Sequence, residues 1–221
     1  MLEEMASFFE NRLVGYDEHM MTDIEGAAEF YAFTAALLPD GACDVLDLGC
    51  GTGLELERYF ARNPSARVTG IDLSRGMLAA LERKFSGRAL TLIQGSYFDV
   101  PLGESRFDAA VSVESLHHFP ADSKRALYRR LFDALKPGGR FILTDYFAES
   151  EAHEREYFET LRRLKAGQDL GEDAFYHYDT PLTVEHELDA LRSAGFANCE
   201  ILNRWGATCT VRAEKPAATG A

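Results

Sequence analysis

The segment Asp47-Leu-Gly-Cys-Gly-Thr-Gly53 sets glycines at positions 49, 51 and 53 between an apolar run and an amphipathic stretch. Glycines placed this way let a ligand approach backbone amides at the end of a strand. A phosphate cradle would continue as Gly-Lys-Ser/Thr, but Gly53 is followed by Leu54 and Glu55, which disfavours nucleoside triphosphate hydrolysis. A dinucleotide loop spaces its glycines G-x-G-x-x-G, whereas these run G-x-G-x-G. Two carboxylates favour a nucleoside ligand without phosphates. Asp72 lies nineteen residues beyond Gly53, where an acid can take both ribose hydroxyls. Asp47 would repel a pyrophosphate and attract a cation.

A second group of chemistry-bearing residues follows later in the chain. Glu114-Ser-Leu-His-His-Phe119 brings two adjacent histidines, His117 and His118, and Asp145-Tyr146 ends another apolar run. One histidine could act as a general base near neutral pH; the alternative is that Leu-His-His-Phe packs beneath a loop. As neighbours on a helix the two would point apart, so no metal site is expected. Asp145 is either part of the chemistry or a buried structural acid. Tyr16 and His19, in an N-terminal segment, and Tyr176, His177 and Tyr178, in an aromatic cluster ending at Leu182, are further candidates. They could wall an acceptor pocket, or pack their segments onto the body.

These residues need a scaffold, and the apolar runs supply one. Asp44–Leu48, Arg67–Ile71, Leu90–Ile93, Phe107–Val113 and Arg140–Tyr146 read as buried strands, with helical stretches near 54–62, 74–84 and 122–136 between them. Ser74 and Asp122 are expected to cap the second and third of these helices, and Lys136-Pro-Gly-Gly139 to end the third. Strands alternating with helices imply parallel pairing in a doubly wound sheet. A helix over Val184–Ala194, ended by Gly195, leads to Asn198–Leu202, a turn at Gly206 and Ala207–Arg212, which reads as an antiparallel hairpin at one edge. Residues 214–221 read as a frayed tail.

S-adenosylmethionine, which carries an ammonium and a sulfonium and no phosphate, suits a lysine-free loop flanked by acids. Val45-Leu-Asp-Leu-Gly-Cys-Gly-Thr-Gly53, Gly70-Ile-Asp-Leu-Ser74, Phe107-Asp-Ala-Ala-Val-Ser-Val113 and Leu135-Lys-Pro-Gly-Gly-Arg-Phe141 resemble, in order and spacing, the successive motifs of class I S-adenosylmethionine-dependent methyltransferases. The resemblance covers residues 40–213. It implies a Rossmann-like α/β fold with a seven-stranded sheet of order 3-2-1-4-5-7-6, strand 7 antiparallel. It also implies one domain with a helical lid over residues 1–40, a cofactor core over 41–148, a cap insert over 149–182, a last helix and hairpin over 183–213, and the tail.

Carried over residue by residue, Asp47, Gly49 and Gly51 would meet the methionine end of the cofactor, Asp72 its ribose, Leu73 and Met77 the adenine faces, and Ser96 and Tyr97 the adenine edge, with Cys50 and Val113 as further cofactor contacts. Ser96 and Tyr97 depart from the family pattern, which often has an acid there. S-adenosylhomocysteine would be the product. Base-methylating relatives typically show Asn/Asp/Ser-Pro-Pro-aromatic after the fourth strand, and the histidine segment stands there instead. The expected activity is methyl transfer to a small molecule, with His117, His118 and Asp145 as catalytic candidates and Tyr146 beside them. A cofactor-binding protein without transferase activity and an enzyme modifying the cofactor itself are the alternatives.

The chain has 221 residues, 46% of them hydrophobic, which suits one domain with a real core. Its formal charge of −13 disfavours nucleic-acid and membrane-surface partners. Residues 1–30 hold eight acids against one base and residues 149–189 twelve against four, whereas the rest holds sixteen acids and eighteen bases. The acidity therefore sits in the two segments expected to cover the site. No run approaches the roughly twenty apolar residues of a membrane helix. The four cysteines form no C-x-x-C pair, and the first thirty residues lack a basic start with an apolar run, so a cytoplasmic location is expected. Both monomer and homodimer remain open.

Overall fold

Central strands that are apolar on both faces must be covered on both faces, and this requirement sets the architecture. The computed structural model describes residues 1–171 and 175–218. Three N-terminal helices, α1 (Met5–Asn11), α2 (Tyr16–Asp23) and α3 (Ala27–Leu37), precede β1 (Asp44–Leu48), α4 (Leu54–Arg62), β2 (Arg67–Asp72), α5 (Arg75–Lys84) and β3 (Ala89–Gln94). Then come β4 (Phe107–Val113), α6 (Ala121–Ala134), β5 (Leu135–Tyr146), α7 (Glu151–Gly167), α8 (Val184–Ser193), β6 (Ala197–Trp205) and β7 (Thr208–Glu214).

The seven strands form one sheet in the order β3-β2-β1-β4-β5-β7-β6. The first five run parallel, and β7 pairs antiparallel with both β5 and β6. Alternating side chains divide the core. Val45, Val68, Val111 and Ile142 face α3 and α4, while Leu46, Ala110, Phe141 and Leu143 face α6 and α8. Strand order reverses between β1 and β4. In doubly wound sheets that reversal opens a crevice beyond the carboxyl ends of the strands. The glycine loop leaves β1 there, and the histidine segment leaves β4 there.

Most element boundaries follow the sequence expectation. Ser74 caps α5 by accepting a hydrogen bond from the Met77 amide at 3.1 Å. Asp122 does not cap α6. Pro120 holds the cap position, and Asp122 sits in the first turn, where a negative charge suits the helix dipole. Lys136–Gly139 lies within β5 rather than ahead of it, with a register irregularity opposite Phe107 and Ala109. The expected frayed tail does not begin at Glu214. Glu214 ends β7, and the Lys215 ammonium donates to the carbonyls of Phe132 and Leu135 at 2.7 Å. The expectation for 219–221 lies outside the described residues.

A buried polar network joins α6 to α8. The Lys124 ammonium donates to Glu187 at 2.5 Å, and the Tyr128 hydroxyl donates to the other carboxylate oxygen, with both charged side chains essentially inaccessible. Breaking one partner of such a group leaves a buried charge uncompensated. Lys124→Met should therefore lower stability by about 3–5 kcal/mol in urea unfolding. Lys124→Met, Tyr128→Phe and Glu187→Leu together should restore most of the loss. A single variant costing under about 1 kcal/mol would show that the charges are solvated in solution.

Candidate active site

The glycine loop is shaped by close approach across the crevice. Gly49 has φ of 72°, and a Cβ there would lie 2.0 Å from the Ser115 hydroxyl, which follows β4. Asp72, ending β2, ties this loop to the next helix. Its two carboxylate oxygens accept from the amides of Gly51 at 2.9 Å and Ser74 at 2.8 Å. Each oxygen keeps a further lone pair for a ligand hydroxyl.

Beside the loop lie two buried acids. Asp47 and Glu55 are within hydrogen-bonding reach of each other, and burial pushes both carboxyls up. For Asp47 the neighbouring Glu55 charge adds to the effect. Asp47 Oδ2 and Glu55 Oε1 have no donor among the described residues. Two buried acids without a cation form a site for one, so the residues fit the ammonium of S-adenosylmethionine, with Asp72 placed for its ribose.

The remaining cofactor candidates are spread around this crevice. Cys50 is buried, its sulfur packed where a Cβ on Gly70 would come within 2.7 Å. Met77 is buried, Leu73 is half-buried, and Val113 ends β4 in the core. The Tyr97 hydroxyl donates to the Ser115 carbonyl at 3.1 Å, which brings the ring beside Gly49. Ser96 is engaged locally, its hydroxyl accepting from the Phe98 amide.

The N-terminal segment forms a lid held by its own acids. Glu10 accepts from the Ser74 hydroxyl at 2.6 Å and the Gly76 amide at 2.9 Å. Asp17 accepts from the Thr52 hydroxyl and pairs with Lys84 at 2.7 Å. The two acidic segments also clasp each other. Glu4 bridges Tyr176, and His177 stacks on Phe8 with centroids 3.4 Å apart.

Under the lid lies a cavity of about 710 Å³, walled by Phe8, Phe9, Tyr16 and Met20 and floored by Glu114, His117, His118, His177 and Asp179. Burial raises the Tyr16 phenol, and the charges of Asp72, Glu55 and Glu114 raise it further. Tyr146 and His19 also line the cavity; His19 is exposed and pairs with Asp23 at 2.8 Å, while Tyr146 shares a hydrogen bond with Tyr157 at 2.6 Å. Of the aromatic trio only His177 reaches the cavity. Tyr176 lines a smaller pocket with Lys165 over its ring, and Tyr178 faces α7.

The floor is a charge cluster. Asp145 is buried and lies outside the cavity lining; it accepts from the Leu116 and Tyr146 amides and holds His117 Nδ1 at 2.6 Å. Burial opposes charge on His117, but Asp145, Asp179 and Glu114 outweigh it and raise the imidazole to about 10. Burial and the neighbouring His117 charge push His118 down to about 4. Glu114, pushed up to about 7 by burial and then by Asp145, occupies a left-handed conformation with φ of 49°. Such strain at a strand end is a mark of functional sites. Residues 114–119 form turns rather than a helix, so the two histidines do not point apart: their ring centroids are 4.0 Å apart. Glu114 was absent from the sequence candidates, and Asp179 was legible only as one acid of the cap. Glu114 had a readable signal, its place directly after the fourth strand, whereas Asp179 comes close only through the folding of the cap.

The fold and this crevice define an α/β protein that binds a nucleoside-type cofactor beside a cavity lined by aromatic and titratable side chains. A family model described as a methyltransferase domain matches residues 45–139. The carboxy-S-adenosyl-L-methionine synthase of Wolinella succinogenes is 30% identical, over 96% of this chain and 92% of that one. The fatty-acid O-methyltransferase of Mycolicibacterium smegmatis is 33% identical over 53% of this chain, and the match spans 42% of that protein. Human N-acetylserotonin methyltransferase, solved in complex with S-adenosylmethionine, shares the fold with a TM-score of 0.66 at 18% identity, covering 94% of this chain and 56% of its own. The chain belongs to the class I S-adenosylmethionine-dependent methyltransferases. Among the described residues no helix is long and apolar enough to cross a membrane.

A cation placed between Asp47 and Glu55 favours their ionised forms, so binding should release a proton and affinity should rise with pH. Calorimetry with S-adenosylhomocysteine between about pH 5 and 7, above the ordinary carboxylate range, should show this rise. Asp47→Asn should flatten it and weaken binding by about 1.5–3 kcal/mol. An affinity that is flat or falls over that range contradicts the ammonium site.

Proposed function

We propose that this enzyme transfers the cofactor's methyl group to a small molecule with an aromatic or otherwise apolar body and one polar end. The observation that carries this reading is the cavity beneath the N-terminal helices, apolar on its walls and polar on its floor, next to the cofactor crevice. When bound, S-adenosylmethionine supplies a methyl group already activated on a sulfonium. The protein's task is then alignment and, for a protonated nucleophile, help in removing its proton.

The chain's own residues divide that work. Phe8, Phe9 and Met20 hold the acceptor body and exclude water. His117 and His118 meet the acceptor's polar end. Asp145 is a positioning residue, since it reaches the acceptor only through His117. The lid's latches to Ser74, Gly76, Thr52 and Lys84 join closure over the acceptor to closure over the cofactor. Polymeric acceptors fit poorly, because lid and cap are clasped over the cavity and both are acidic.

A second reading has one observation in its favour, the end-to-end relative that is a carboxy-S-adenosyl-L-methionine synthase. Handling a carboxylate calls for a cationic partner. Arg12 is the sole Lys or Arg among the described cavity residues, its guanidinium paired with Glu3 at 3.0 Å over the Phe8 ring, and His117 on the floor is already engaged by Asp145 and Asp179. Glu114 and Asp179 would repel an anion. Methyl transfer is therefore favoured over carboxylation of the cofactor.

Incubation with methyl-labelled cofactor and a panel of small hydroxyl, amine and thiol acceptors should label an uncharged or cationic aromatic member. A cofactor gaining the mass of a carboxyl group, with no labelled acceptor, would support the second reading instead. Asp145→Asn should lower kcat about 10–100-fold with cofactor affinity unchanged. An equal loss of cofactor binding would mean that Asp145 only supports the fold.

A further inference from the structure

The floor of the cavity carries more than a hydrogen-bonding edge needs. His117 Nε2 lies 3.5 Å from Asp179 Oδ1, and His118 Nδ1 lies 3.3 Å from the same oxygen. The three donor atoms are all within 4.8 Å of one another. Ligands about 2.0–2.2 Å from a tetrahedral ion are separated by roughly 3.3–3.6 Å, so the two measured separations already match edges of a coordination shell. We propose that His117, His118 and Asp179 bind a divalent first-row transition ion on the cavity floor, with its open positions toward the acceptor.

Three features of the surroundings support this. First, Asp145 holds His117 Nδ1 at 2.6 Å and is itself fixed by the amides of Leu116 and Tyr146. That is the carboxylate–histidine arrangement that sets the tautomer of a metal ligand and leaves Nε2 to the ion. Second, the two chain segments are locked in register, because the Thr180 amide donates to the His117 carbonyl at 2.8 Å. The site is thus assembled before an ion arrives. Third, three carboxyl side chains, Glu114, Asp145 and Asp179, come within 3.9 Å of the two imidazoles.

The donor set also selects the ion. Two imidazoles and one carboxylate suit zinc or ferrous iron, whereas magnesium and calcium prefer shells of oxygen. With three protein ligands the remaining positions stay open, as in catalytic rather than structural sites. The ion's role rests on the methyl-transfer reading: it would hold an acceptor hydroxyl and lower its pKa, so that the proton leaves to solvent before the oxygen reacts.

The test uses Co²⁺ as the probe on full-length protein stripped with a chelator. One Co²⁺ per chain is expected, with the visible absorption of a low-coordinate nitrogen–oxygen site. Asp179→Asn and His118→Asn should abolish stoichiometric binding, and Asp145→Asn should weaken it about 10–100-fold. Unchanged S-adenosylhomocysteine affinity shows that the variants are folded. One Co²⁺ lost with Asp179 supports the site even if no acceptor is found. Failure to bind at millimolar Co²⁺, or binding that survives both variants, overturns it. Undiminished methyl transfer by protein shown metal-free by elemental analysis also overturns it, and leaves the methyl-transfer reading standing.

Discussion

Six carboxyl groups meet at one edge of this sheet, and burying like charges together is unfavourable until cations are added. Asp47, Glu55 and Asp72 lie on the cofactor side; Glu114, Asp145 and Asp179 lie on the acceptor side. Burial works against the ionised form of every one of them. On the acceptor side His117 offsets part of the charge and holds the Asp145 and Asp179 carboxyls below the usual range. On the cofactor side the Lys84 charge draws the Glu55 carboxyl down but does not outweigh burial, and Asp47 and Glu55 are left with oxygens that lack a donor among the described residues. A ligand with a positively charged group meets that need, which explains why a cofactor carrying an ammonium and a sulfonium and no phosphates fits this edge.

The distribution of charge over the rest of the chain follows from the same edge. The acids of the N-terminal helices are not a diffuse solubilising coat. Glu10 and Asp17 fasten α1 and α2 to the starts of α5 and α4 and to the Lys84 ammonium, directly above the cofactor loop. Glu3 holds Arg12 over Phe8, and Glu154 holds His186 at the base of the cap. Several of these acids therefore fasten the helices over the cavity. Because lid and cap are also joined through Glu4 and Tyr176, opening toward the cofactor and opening toward the acceptor involve the same helices.

The scaffold was legible because its signals are local. Apolar runs, Ser74 and the glycines at 49, 51 and 53 each act within a few residues of themselves, and strand order followed from the family resemblance. Asp122 was misjudged because Pro120 takes the cap position two residues earlier. The floor was less legible, since it depends on contacts between distant segments. Adjacent histidines separate on a helix but converge in the turn that the strained Glu114 starts, and the sequence does not announce that turn. Asp179 reaches them across more than sixty residues through the Thr180–His117 backbone bond. Tyr176 and Tyr178 looked equivalent to His177, yet the antiparallel bridge at Tyr176 turns only the middle residue of the three into the cavity.

The central claim is that one sheet edge holds a cationic cofactor on its acidic side and presents the methyl-bearing sulfur to the histidine floor. A crystal structure of the complex with S-adenosylhomocysteine tests it most directly. The account predicts the ammonium between Asp47 and Glu55, the ribose hydroxyls on Asp72, and the sulfur open to the cavity beside Tyr16 and Glu114. An ammonium bound elsewhere, or a sulfur facing away from His117 and His118, would contradict it.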